Sequence, residues 1–161
     1  MRDPKCDGLC LMRIFLVKKH WLAIALLTLL AGCDWIPFSG GQLQGTATPV
    51  PADWTTVAAA NVIQLETNPE DPYSVKLWII GDGPNLYVHA GANRATWVEH
   101  MDTDPRVRVL IDGALFELRA ERVTTQAEFD AFSNLYEAKY GNPQRNGNVG
   151  EAYLFRLLPR A

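Results

Sequence analysis

Two histidines, His89 and His100, are the only imidazoles after position 33, and no cysteine follows Cys33. Imidazoles can move protons or bind a metal, but neither histidine has the matched carboxylate spacing that a two-histidine metal site needs. In the run Leu86-Tyr87-Val88-His89, strand alternation sets His89 on one face with Tyr87, opposite Leu86 and Val88. By residue type alone, His89 reads as a half-exposed surface side chain; bonding to a ligand is the second reading. Ser74 and Ser133 have no evident base partner. The chain carries no G-x-S-x-G elbow, no P-loop and no G-x-G-x-x-G turn. Tyr136, Lys139, Tyr140 and Arg145 gather around an expected helix end and its following loop. They form either a lip for a phosphate or substrate, or the aromatic face of a packed helix with Lys139 complementing the helix dipole. The packed face is the simpler account of the tyrosines; Arg145 fits either.

Charge narrows the partners. The stretch before Cys33 holds five of the fifteen basic side chains and two of the eighteen acidic ones, so the remainder carries a net −6. Nucleic acid is excluded as a partner, because phosphate contacts need a clustered positive surface. With all three cysteines at or before position 33, the rest of the chain has neither an internal disulfide nor a cysteine zinc site.

The N-terminal fifth reads as a targeting segment. Lys18-Lys19-His20 is a positive start, and Trp21 to Leu30 is an uncharged apolar run, short of the roughly 20 residues that span a bilayer. Leu30-Ala31-Gly32-Cys33 follows and resembles the lipobox of bacterial lipoproteins. The resemblance implies cleavage before Cys33, a diacylglycerol on its thiol and a further acyl chain on its new amino group. Several chains give stable anchoring where one is marginal. Met12 opens a more ordinary leader than Met1, and Asp34 after the cysteine slightly favours the inner membrane. Residues 1–33 are thus expected to be a lipoprotein signal peptide, with the protein on the extracytoplasmic face of the envelope. Residues 34–52, rich in Gly, Pro, Ser and Thr, are expected to be a flexible tether, with Trp35, Ile36 and Phe38 near the lipid.

Residues 53–161 read as one domain. Tyr73 to Ile80 and Leu86 to Ala90 form a hairpin about Asp82-Gly83-Pro84-Asn85. Asn93 is placed to cap a short helix running to about Asp102, with Trp97 and Met101 on one face. Arg106 to Ile111 and Leu115 to Val123 form a second hairpin about Asp112-Gly113. Thr125-Gln126-Ala127-Glu128 has the form of a capping box, opening a helix that buries Phe129, Phe132, Tyr136 and Tyr140 and stops at Gly141. Ala152 to Leu158 is a last strand. Arg106, Arg108, Arg119 and Arg122 are expected to pair with acidic neighbours on the outer sheet faces. Hairpins with few helices give a mainly β, α+β domain: a small barrel with two short-to-medium helices.

Several pieces of this domain resemble the split β-barrel of flavin- and deazaflavin-dependent oxidoreductases, the pyridoxamine-phosphate oxidase superfamily, and within it the deazaflavin-dependent nitroreductase branch. They are Leu86-Tyr87-Val88, Gly91, Trp97, Asp104-Pro105-Arg106-Val107-Arg108-Val109, Gly113 and Ala120-Glu121-Arg122-Val123. The resemblance implies a homodimer with FMN or a deazaflavin in a groove between subunits. It makes Lys76, Arg94 and Thr96 the candidates for the cofactor phosphate, with His89 at a flavin edge or on a haem and Arg145 as a further contact. Trp97 lies near the cofactor or fills the core. The turn Asn68-Pro69-Glu70-Asp71-Pro72 departs from the basic turn of the nitroreductases, and its two acids would repel a phosphate. FMN held elsewhere, haem and no cofactor stay open. The function these readings imply is a membrane-anchored redox protein acting on quinone- or nitro-like acceptors; the alternative is a non-catalytic lipoprotein using its barrel as a binding or interaction module.

Overall fold

The computed structural model describes residues 40–160; the expected signal segment, Cys33, Asp34 and the aromatic residues of the tether lie outside it. Six antiparallel strands close a barrel: β2 (Val62–Thr67), β3 (Tyr73–Asp82), β4 (Asn85–His89), β5 (Arg106–Ile111), β6 (Ala114–Arg122) and β7 (Leu154–Pro159), after the two-residue strand β1 (Thr46–Ala47). Around the barrel the order is β6-β5-β2-β3-β4-β7, and β6 pairs with β7 to close it. Helix α1 (Thr96–Thr103) joins β4 to β5, and helix α2 (Gln126–Tyr140) follows β6. Among the described residues no helix is long and apolar enough to cross a membrane.

The barrel closes because alternation gives each strand one apolar face. Val107, Val109 and Ile111 of β5 point inward beside Ile63 and Leu65 of β2 and Ile79 of β3. Trp54 is wholly buried and meets Phe116 edge-on at 5.0 Å, while Trp97 of α1 meets Phe155 at 6.1 Å. Asp112 and Gly113 both have positive φ, 48° and 84°, so the β5–β6 turn has the mirror-image geometry that suits strand twist. A second apolar cluster lies outside the barrel, where Phe129 and Phe132 of α2 cover Ile80, Tyr87 and Leu154.

Five expectations change. The tether from Gly40 on lies on the barrel: Gly40 pairs with Ser74, Leu43 is buried, and β1 runs parallel to the start of β6. Its backbone groups find ladder partners there, which outweighs a loop-like composition. Strand β2, absent from the sequence reading, supplies a central strand between β3 and β5. Asn93 does not cap α1, which starts after Ala95 with no side-chain cap. Thr125 stands at the N-cap of α2, but the capping box does not form. Glu128 turns away to accept hydrogen bonds from the Tyr87 hydroxyl at 3.0 Å and the Arg156 guanidinium at 3.1 Å, a charge-assisted alternative. Arg106, Arg108 and Arg119 pair with acids as expected, but Arg122 lies over the Tyr153 ring and donates to the Ala152 carbonyl.

Candidate functional site

A groove opens on the outer wall because β3 is longer than its partner. Strand β4 pairs only with Ile79 to Asp82, and Gly40 pairs with Ser74 further down. Between them, the edge of β3 at Lys76, Leu77 and Trp78 carries no strand among the described residues, and helix α2 crosses above it. The resulting groove, about 270 Å³, is lined by Lys76, Leu77, Trp78, Ile80, His89, Phe132 and Tyr136.

Its walls are aromatic. Trp78 stacks on Tyr140 at 4.7 Å between centroids and 14° between planes, and Tyr136 lies 5.9 Å away. The His89 ring sits 5.4 Å from Phe132 and 6.3 Å from Tyr136. Burial pushes the His89 imidazole down to about 4, so near neutral pH it is uncharged. Its Nε2 is buried without a hydrogen-bond partner. A neutral imidazole nitrogen can donate or accept according to tautomer, and an unpaired one favours any ligand that completes it. Lys76 stands exposed on the same face as Trp78, opposite Gln64 of β2.

Helix α2 is tied over this wall by its last turn. The Tyr140 hydroxyl accepts from the Ile79 amide at 3.0 Å and lies 2.8 Å from the Ile79 carbonyl and 2.9 Å from that of Asn61. Lys139 Nζ donates to the carbonyls of Ala58, Ala60 and Ile79 at 2.6, 2.8 and 3.0 Å. These two side chains satisfy backbone groups where the β2–β3 ladder runs out. They are structural, although Lys139 serves the barrel and not the carbonyls of its own helix end.

The expected site residues are therefore divided. Lys76 and His89 come together in the groove. Arg94 is exposed and ion-paired with Glu99 at 3.5 Å and Asp102 at 3.7 Å. Thr96 opens α1 at the surface, Trp97 fills the barrel core, and Arg145 is exposed on the loop after α2. Trp78 and Phe132 were not singled out as site residues. The sequence signal for Trp78 was its parity with Lys76 on β3; Phe132 needed the packing of α2 to be placed.

A second depression, about 190 Å³, lies elsewhere on the outer wall, around Glu66 and Arg108, and is charged. There Arg108 makes a two-pronged contact with buried Glu66 at 2.8 and 2.6 Å, and Glu66 also accepts from the Leu43 amide. Arg160 reaches Glu117 and the Val107 carbonyl, and Arg106 holds Asp104 and Glu70. Among the described residues no group of three or more His, Cys, Asp or Glu is placed to hold a metal.

The barrel superposes on solved structures of low sequence identity. A candidate pyridoxamine 5′-phosphate oxidase from Listeria innocua matches with a TM-score of 0.52 at 15% identity, over 65% of this chain and 88% of that one. A candidate 5-nitroimidazole antibiotic resistance protein from Bacteroides thetaiotaomicron matches with 0.53 at 13%, over 63% and 75%. The fold is a split β-barrel. General stress protein 26 from Bacillus anthracis matches the split barrel with 0.50 at 18%, over 65% and 84%. No family model and no curated protein matches the sequence.

Proposed function

We propose that this protein is an envelope lipoprotein, anchored through Cys33, whose split barrel binds a flavin and works as a redox protein on quinone- or nitro-like acceptors. The observation that carries the reading is the aromatic groove holding an unpartnered His89 Nε2 beside Lys76. The likeness of fold to structures described as a pyridoxamine 5′-phosphate oxidase and a nitroimidazole resistance protein supports it, as does the motif resemblance read from the sequence. A flat ring system would lie against Trp78 and Tyr136, with the unpartnered His89 nitrogen at its polar edge. Bound flavin supplies the electron chemistry, and the chain supplies binding and orientation. At about 270 Å³ the groove falls just below the roughly 300–1,000 Å³ usual for ligand sites.

FMN suits the groove better than a deazaflavin with an acidic tail. Among the described residues Lys76 is the one cation lining it, and the chain's net charge opposes an additional anion. The test is a visible spectrum of the detergent-extracted protein, followed by titration of FMN and deazaflavin into the stripped chain. Lys76→Ala is expected to weaken FMN by about 1.5–3 kcal/mol, the range for a hydrogen bond to a charged group. The second reading, a non-catalytic interaction module, is favoured by the engagement of Arg94 with acids and by the acidic Glu70-Asp71 turn. Absence of any ring binding by the wild-type chain decides for it.

A further inference from the structure

Among the described residues the large hydrophobic side chains left exposed are Val62 and Trp78, each 48% accessible. They are not scattered: Val62 and Trp78 are directly opposed across β2 and β3, and both point out of the barrel. Tyr136 and Tyr140 extend the patch from α2, and Lys76 borders it. The opposite wall differs in kind. Strand β6 is three strands from β3 in either direction, and its outward side chains Glu117, Arg119 and Glu121 are charged and ion-paired.

The patch also lies where the chain arrives. Gly40 is joined to Ser74 by two backbone hydrogen bonds, of 2.7 and 2.8 Å. From Ser74 to Trp78 is four residues of strand, roughly 13 Å at about 3.3 Å per residue. From Gly40 back to Cys33 is seven residues, which span at most about 25 Å. A chain anchored at Cys33 thus keeps the exposed aromatic face of its described residues on a short leash from the bilayer surface. Trp and Tyr are favoured at that interface, and a lysine beside them meets lipid phosphate.

We propose that the Val62–Trp78 face of the barrel docks on the lipid surface to which Cys33 is anchored, so that the groove opens at the interface and admits acceptors dissolved in the membrane, of the quinone class. This rests on the lipid-anchor reading above. The face is assigned to lipid and not to a second copy because the strap lands on β3, the strand that carries Trp78, and because exposed Trp and Tyr rings beside a lysine suit a bilayer interface.

The test uses the full chain, acylated and reconstituted in phosphatidylcholine–phosphatidylglycerol vesicles. A fluorescent label is placed at Val62→Cys, at Gln64→Cys as a second position on the same face, and at Arg119→Cys on the opposite wall. No native cysteine follows Cys33, so the labels are unique within the domain. Several-fold stronger quenching by nitroxide lipids at positions 62 and 64 than at 119 is expected. Equal, weak quenching at all three in a chain that is still acylated and membrane-bound overturns the docking face and leaves the anchor standing. Protection of positions 62 and 64 from both lipid and aqueous quenchers overturns it in favour of a second copy. Undiminished acylation in Cys33→Ala removes the anchor itself, and the docking proposal with it.

Discussion

The charged cleft around Glu66 and the aromatic groove around His89 are two hollows in the wall of one barrel, built on opposite terms. In the cleft, burial of a carboxylate is answered: Arg108 grips Glu66 with two prongs and the Leu43 amide adds a third bond. In the groove, burial of an imidazole is left unanswered, and a tryptophan stays in solvent. The first arrangement closes a structure on itself and pins the N-terminal strap. The second keeps unspent bonding capacity, which is what a ligand site requires.

Removing an acid from the cleft is expected to be the most damaging change. Glu66→Ala strands a largely buried guanidinium and the Leu43 amide, and should cost about 3–5 kcal/mol, read from the denaturant midpoint. A loss below ~1 kcal/mol would mean the cleft is no more committed than the groove. Acid is expected to act on the groove instead. Folding holds His89 near 4 against an ordinary 6.5, so the unfolded chain takes up its proton first as pH falls. This contribution to stability is intact above about pH 6.5 and is lost progressively towards pH 4, amounting to about 2–3 kcal/mol. The difference in stability between wild type and His89→Phe across that window isolates it from the carboxylates. At pH 7 the Phe variant should be no less stable than wild type, since an apolar ring replaces an unpaired polar one; a clear destabilisation there would show that Nε2 has a partner after all. Tyr140→Phe is the mildest, expected to cost about 1 kcal/mol through the lost Ile79 and Asn61 bonds. It should also loosen FMN if the helix end holds the groove's shape, which a titration would reveal.

Five of the six barrel strands and both helices are legible because their signals are local. Val107, Val109 and Ile111 alternate, Asp112-Gly113 marks a turn, and Gly141 ends α2 in a left-handed conformation. Strand β2 is missed although Ile63 and Leu65 alternate with polar neighbours and the Asn68-Pro69 turn follows it: its Glu66 makes sense as a buried outward residue only once Arg108 stands opposite and the strap covers it. The same limit governs the site. Lys76 follows from the family resemblance and His89 from strand parity, but that they share a groove depends on where β4 stops pairing and where Phe132 lands. Arg94 and Thr96 follow from the family resemblance and their side-chain chemistry, and α1 turns Arg94 to its own acids. The capping box failed for the same reason, since Tyr87 and Arg156 claim Glu128 from across the fold.

The strap that begins at Gly40 has a mechanical consequence. It crosses the barrel wall held at successive points: to Ser74, to Glu66, to Gly113 through Thr46, and to Leu115 through Thr48. A pull from the N-terminal side loads these attachments one after another and not all at once. They would peel in order, Ser74 first, before any strand of the closed barrel is sheared. Releasing residues 40–48 in this way would pay out roughly 30 Å of extra line at about 3.3 Å per residue. The domain could then yield to tension and re-seat when it slackens, with its barrel still folded.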